Sequence, residues 1–345
     1  MPRDNTTDSG CPAADSPDSV RPPSAPQTPD TAESVKRPRR WVDAEIARLD
    51  PETDYARIVH LIANYKLNDF VMNLTYATGF MANTVPPGGS IAIAGTGKAM
   101  AKPQTRYLDT VKFFWEWFFK GPSHPDVQDS LQRLNRLHAH LYEKFPESFR
   151  DNDEWLFTMA NLACGADRMR DLVGAPRQPE YVQRAWHHFW RDIAAQMTGP
   201  NGAVHSFPET YEGLIALAED YEAREYEYTP TGREVCEAMI RQFNERFLPK
   251  PLFPVGRTLV LSFATPAVRK RHGMANPNPV GKWVFHRIFR LIFLGQDRFL
   301  PDNAVPMEQV LRSPKYQAWR KQVRQRERGV GTASPSAAAD TSATA

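Results

Sequence analysis

The sequence predicts an all-α protein, a single globular helical domain between two disordered ends. Three observations predict it. From Trp41 to about Arg326, apolar residues recur at steps of three and four, the spacing of one helix face. No stretch alternates apolar and polar residues over the length of a strand, and no repeat or internal domain boundary divides that span, in which Pro249 to Pro254 reads as a linker between helices. The two ends differ in composition. Pro, Ser, Asp and Thr dominate residues 1–40, and Ala, Ser and Thr dominate residues 327–345; neither end carries enough large apolar side chains to offset the entropy of ordering. The expected organisation is a disordered segment 1–40, a folded domain 41–326 and a disordered tail 327–345.

Composition narrows the class. The 345 residues leave ample material for a core, and the 11% of aromatic residues crowd into the middle of the chain. A net charge of +3 gives no electrostatic footprint for nucleic acid. Cys11, Cys164 and Cys236 form no C-x-x-C pair. That argues against a disulfide framework, an iron–sulfur cluster or a structural zinc site, and suits a reducing cytoplasm. The N-terminus has no apolar signal core, and no uncharged apolar run reaches the roughly 18 residues of a membrane span. The protein is expected in the cytoplasm, soluble or peripheral to a membrane.

The elements follow in order. Asp50-Pro51-Glu52-Thr53 reads as a helix start leading through Ile58, Leu61, Ile62 and Tyr65. A second helix runs through Phe70, Leu74 and Tyr76 to Gly79-Phe80. Val85 to Lys98 resembles a phosphate loop only superficially. Ala92 stands where the first glycine belongs, and Ala99 where Ser or Thr would hold magnesium. Its small residues Ala92, Ala94, Gly95 and Gly97 permit close backbone packing or close approach to a flat ligand. Arg106 then opens a helix that continues through Trp117 and stops at Gly121-Pro122. Arg106, Asp109 and Thr110 share one face, which Phe113, Phe114 and Trp117 continue. This is either a first-turn ion pair on an amphipathic helix or the polar end of an aromatic-walled pocket.

The later chain is read the same way. A small-sided apolar helix begins at Asn152, with Asn161 as its polar exception. The next helix carries His187 and His188, which lie about 100° apart and do not readily chelate one ion. Helices follow through Leu214 and Tyr221, and through Val235 and Phe243, the second capped at Thr229-Pro230. Arg257 to Arg271 is a helix interrupted at Pro266. Gly281 to Leu294 is apolar and basic. It lies either on the body or in a membrane interface, with Lys282, Arg287 and Arg290 reaching phosphates.

One histidine stands out. Val127, Leu131, Leu134 and Leu141 mark one face of a helix, and His138 completes the stripe. Such a histidine either hydrogen-bonds a backbone carbonyl inside the core or binds a metal. His140 points about 200° away and makes no two-histidine site with it. A single ligand suits a haem iron better than zinc, which takes about three or four protein ligands.

The order Arg106-Tyr-x-Asp109-Thr110, then Arg133-x-Asn135-x-x-His138-Ala139, resembles the oxygenase family of the fungal MpaB enzymes and the bacterial rubber oxygenases. Asp153-Glu-Trp-Leu-Phe-Thr-Met159-Ala-Asn161, Phe207-Pro-Glu-Thr and Tyr228-Thr-Pro-Thr231 are similar to later landmarks of that family. The resemblance covers roughly Tyr55 to Leu294. It implies an all-helical fold with a b-type haem pocket between helices and oxidative cleavage of an isoprenoid-like chain by dioxygen. It assigns His138 as the proximal iron ligand, and Arg106, Asp109 and Thr110 to the distal side. On that assignment Arg106 orients oxygen or a haem propionate, Asp109 pairs with Arg106 or relays a proton, and Thr110 hydrogen-bonds in the pocket. Asn161 is expected beside the cofactor.

Departures limit what carries over. Rubber oxygenases have a lysine at the position of Asp109. They also have a glutamate, proposed as catalytic base, upstream of the arginine. This chain has Ser90 in that neighbourhood and no carboxylate from Gly79 to Tyr107. Met159 and Asn161 stand where the family often has histidine and threonine. Two alternatives to a haem-dependent oxygenase therefore remain: a haem-binding sensor or carrier, and a haem-free helical lipid-binding module.

Overall fold

Proline and capping side chains set most helix starts in the computed structural model, which describes residues 39–148 and 150–328. Helices α1 (Trp41–Ile46), α2 (Tyr55–Tyr65) and α3 (Asp69–Asn83) open the body. The short α4 (Pro87–Gly95) and α5 (Lys98–Ala101) lead into α6 (Pro103–Lys120), α7 (Pro125–Lys144) and α8 (Asn152–Val173). After α9 (Glu180–Ala194), the hairpin of β1 (Thr198–Gly199) and β2 (Gly202–Ala203) is the only strand pairing among the described residues. The chain continues as α10 (Tyr211–Ala223), α11 (Pro230–Phe247), α12 (Phe253–Phe263), α13 (Pro266–Arg271), α14 (Pro279–Arg298), α15 (Met307–Arg312) and α16 (Pro314–Arg328). The fold is all-α.

Local chemistry explains the boundaries. Asn68, Asp151, Thr210, Thr229, Thr265 and Asn278 each accept a first-turn N–H at the start of α3, α8, α10, α11, α13 and α14. Two expectations shift. The helix expected at Asp50-Pro51 starts at Tyr55, because the Asp50 carboxylate accepts from Glu52 N at 3.0 Å and holds a turn instead. The glycine-rich stretch near Lys98 is helical, with Pro87 in its first turn and Gly97 left-handed (φ 65°) at the joint between α4 and α5. Its small residues serve close packing: a Cβ on Gly95 would lie 2.4 Å from the Phe145 ring.

Helix α2 lies between α6 and α9, and α3 between α8 and α11. Phe114, Trp117 and Phe118 of α6 meet Trp186, Phe189 and Trp190 of α9 in an aromatic layer. The stripe on α7 is core only in its first half. Val127 and Leu131 are buried, Leu134, His138 and Leu141 are partly exposed, and Leu137 is 46% exposed.

The domain ends need correction. Arg39 and Arg40 belong to the folded part: Arg39 O accepts from Asp302 N at 2.8 Å, and Arg40 pairs with Asp43. The disorder expected for 1–38 and 329–345 lies outside the described residues. A tail beginning at 327 would cut α16 two residues short. Glu327 accepts hydrogen bonds from Gln104 N at 3.0 Å and Thr105 N at 2.8 Å. It thus caps the first turn of α6, whose N–H groups have no partners within their own helix.

Loss of a capping carboxylate costs about 0.5–2 kcal/mol. A chain ended at Arg326, or carrying Glu327→Ala, should melt about 2–4 °C below one ended at Arg328. Equal melting midpoints by circular dichroism would show that the cap contributes nothing.

Candidate active site

Two faces meet between α6 and α7. On α6, the Arg106 guanidinium lies 5.2 Å from the centre of the Phe80 ring of α3. One turn earlier on α3, Tyr76 packs against Phe80 at 4.4 Å and meets Tyr107 edge-on at 5.1 Å. Burial pushes the Tyr76 hydroxyl well above its ordinary range, against the opposing charge of Arg106. Arg106 and Thr110 are the polar groups nearest that hydroxyl, yet neither meets hydrogen-bond geometry with it. Arg106 Nε is likewise buried without a hydrogen-bond partner.

His138 faces this cluster from α7. Its ring meets Trp155 of α8 edge-on at 5.1 Å. Burial, then the positive charge of Arg106, pushes its pKa down to about 4. The imidazole is therefore neutral at physiological pH, which is the form that binds a metal. Asn135, one turn before it, fixes the helix: its Nδ2 donates to Gln196 O at 2.8 Å, and its Oδ1 accepts from Thr198 N at 3.3 Å. The hairpin thus holds α7 in register while the outer half of its apolar stripe stays open.

Arg106 acts on both His138 and Tyr76, and Thr110 lies with it beside Tyr76; Asp109 and Asn161 have other partners. Asp109 does not pair with Arg106. Its carboxylate takes Lys98 Nζ at 2.5 Å and an Arg324 nitrogen at 2.6 Å. Burial alone would push this carboxyl up, but the hydrogen bonds and charges of Lys98 and Arg324 outweigh it and hold it below its ordinary 3.8. Asn161 lines a separate cavity of about 60 Å³ between α3 and α8, with Gly79, Gly165, Arg168 and Glu222. At roughly 30 Å³ per water, that space suits a water or two, not a macrocycle. Arg168 donates to Asn161 Oδ1 and pairs with Glu222 at 2.8 Å.

His187 and His188 serve the structure. The first contacts Pro208 O at 2.8 Å, and the second contacts Glu52 at 2.7 Å. Sequence reasoning missed Tyr76, Phe80 and Trp155 as site residues, because each is an aromatic at an ordinary core position. Asn135 was visible as part of the motif, but nothing in the sequence names the loop it holds.

The donor set bears on a cofactor. Among the described residues, no group of three or more His, Cys, Asp or Glu side chains could hold a bare ion. A metal on His138 would need its other ligands from a non-protein group, as a haem supplies. Arg106 Nε and the Tyr76 hydroxyl are buried polar atoms still available to a bound ligand. The residues fit a flat cofactor with one protein ligand.

Three comparisons bear on this geometry. The model of the family described as ER-bound oxygenase mpaB/B′/rubber oxygenase, catalytic domain, matches residues 65–293. No curated protein matches. The solved structure of latex clearing protein in its closed state superimposes with a TM-score of 0.55 at 16% identity, covering 83% of this chain and 78% of that one. At that identity the likeness is one of fold. The family match includes α6, α7 and α8 and ends within α14, so the Arg324 and Glu327 contacts lie outside it.

The Asp109 pairs give a pH prediction. Between the ordinary and the depressed carboxyl pKa, the unfolded chain binds more protons than the folded one. The contribution is therefore complete above the ordinary value and is lost as pH falls through the depressed one. Asp109→Asn should cost about 0.5–1 kcal/mol at neutral pH, a surface-pair magnitude because the group is about a third exposed. The difference in melting midpoint from wild type should shrink as pH falls below the ordinary carboxyl value of 3.8; a difference independent of pH would assign the loss to packing.

Proposed function

Because the chain belongs to the family of mpaB/B′ and rubber oxygenases, we propose that it is a haem b-dependent oxygenase. Its substrate in this reading is an apolar, isoprenoid-like molecule that is cleaved or oxygenated with dioxygen. The observation that carries the proposal is His138: a neutral imidazole, on a half-open apolar helix face, within the field of the half-buried Arg106. A bound haem supplies the redox-active iron for dioxygen chemistry.

The chain's own residues do the rest. His138 would hold the iron through its neutral ring. Arg106 would stabilise negative charge in the pocket, and its packing against Phe80 on one side would limit the water that screens that field. Thr110 and the Tyr76 hydroxyl offer hydrogen bonds on the same side. Phe80, Phe113 and Phe114 exclude water and present an apolar wall to a prenyl chain. Asp109 acts as a positioning residue that ties α6 to Lys98 and Arg324, rather than as a proton relay. Asn161 acts from a distance, through the Arg168 and Glu222 network that backs α3.

A haem sensor or carrier is the second reading, favoured by the lack of any carboxylate from Gly79 to Tyr107. Oxygen uptake with a prenyl substrate separates the two. No helix among the described residues is long and apolar enough to cross a membrane. We place the protein in the cytoplasm, meeting apolar substrate in solution or at a membrane touched by residues 281–294.

Two variants test the site. His138→Ala should abolish stable haem binding and keep most helical content, read as haem-to-protein ratio and reduced absorbance spectrum. Unchanged haem content and spectrum would remove His138 as the ligand. Arg106→Ala should slow turnover at least tenfold, as expected for losing a buried charged donor worth about 1.5–3 kcal/mol. A variant that unfolds like a core deletion would make Arg106 structural instead.

A further inference from the structure

Helix α14 is amphipathic with two apolar faces, and only one is covered. On the inner face, Phe289 is buried with its ring 4.5 Å from that of Phe263, and His286 contacts Ser262 O at 3.0 Å. Asp297 accepts two hydrogen bonds from Arg170, both at 2.8 Å. These contacts fix the helix against α8 and α12. The outer face runs Val280, Trp283, Val284, Ile288, Leu291, Ile292 and is exposed throughout. Trp283 is 61% and Leu291 68% exposed. The start of α12 adjoins its first turn, where a Cβ on Gly281 would lie 2.8 Å from the Thr258 methyl, and it adds exposed Val255 and Leu252.

Charge says what fits. Helix α14 carries Lys282, Arg287, Arg290 and Arg298, and its single acid, Asp297, is held by Arg170. The Arg287 guanidinium lies 5.7 Å from the Trp283 ring centre. An aromatic–aliphatic stripe flanked by basic side chains is the composition of a helix lying in a lipid interface. A second copy is a poorer partner: in a two-fold contact each patch meets itself, so Arg287 and Arg298 would be brought against a patch of the same charge. Anionic headgroups neutralise them.

We propose that the outer face of α14 lies on an anionic phospholipid surface, with Trp283, Ile288 and Leu291 in the acyl boundary and the exposed Arg287 and Arg298, which share that face, on phosphates. This deepens the peripheral contact proposed above and rests on it for cellular place alone; it stands without the oxygenase reading.

The test uses the full chain with sedimenting vesicles of phosphatidylcholine, alone or mixed with phosphatidylserine. Wild type should pellet with the mixed vesicles and far less with neutral ones. At about 1 kcal/mol for each basic residue near an anionic surface, Arg287→Gln with Arg298→Gln should weaken binding roughly 30-fold. Trp283→Ser with Leu291→Ser should weaken it more than tenfold on both vesicle types, at an unchanged melting midpoint, since both side chains are exposed. Wild-type binding by either double variant overturns the proposal. So does no binding by wild type, or a dimer in sedimentation that Leu291→Ser splits without any vesicle binding. The haem absorbance of the same samples tells a failure of the lipid surface from a failure of the oxygenase reading.

Discussion

Helix α6 is held in place from several sides, and the candidate site depends on that. Its first turn is capped by Glu327, and Arg324 takes Asp109 one turn further on. Tyr107 donates to Asp69 at 2.9 Å, tying the helix to α3, and Trp117 donates to Ser130 of α7 at 3.1 Å. Asp69 is in turn paired with Arg246 of α11, whose guanidinium lies over Tyr107 at 4.7 Å and over Trp319 of α16 at 3.9 Å. Each contact is modest alone. Together they leave α6 little freedom to turn, so Arg106 and Thr110 keep their direction toward α7.

Helix α7 is the opposite case. Its first half is bonded and buried, and its second half, which carries His138, is secured chiefly by Asn135 and Trp155. Partial exposure on one side of the gap faces buried polar atoms on the other. An unsatisfied buried donor or acceptor costs about 1–3 kcal/mol, and both Arg106 Nε and the Tyr76 hydroxyl are in that state. A protein keeps such groups where something else satisfies them. A ligand between α6 and α7 would relieve that cost and cover the open stripe, which is what the proposed haem would do.

Much of this was legible in the sequence. The all-α fold, the cap of α11 at Thr229, and the shared face of Arg106 and Thr110 follow from local spacing alone. His138 was visible because an imidazole interrupts an apolar stripe. What local spacing cannot give is the partner across the gap. Asp109 lies on the Arg106 face by helical arithmetic, yet Lys98 and Arg324 outbid it, and Arg324 is 215 residues away. Asn161 read as a cofactor neighbour because it breaks an apolar run; its actual partner, Arg168, lies two turns on along the same helix. The domain end was misplaced by two residues for a similar reason: Glu327 belongs to a polar helix whose value lies in the remote turn that it caps.

The same logic separates the two apolar faces of α14. Sequence periodicity sees a helix with aromatic and aliphatic residues nearly all round, which by itself describes a buried helix. Packing shows that only the phenylalanine side is used, with Phe289 closed against Phe263 and Asp297 locked by Arg170. The exposed side cannot be a remnant of insufficient packing, because the inner contacts already fix the rotation of the helix. Turning Trp283 and Leu291 inward would break the Arg170–Asp297 pair and expose Phe289. The exposed stripe is thus a consequence of how the inner face is held, and the arginines on it, Arg287 and Arg298, disfavour sealing against a copy of itself.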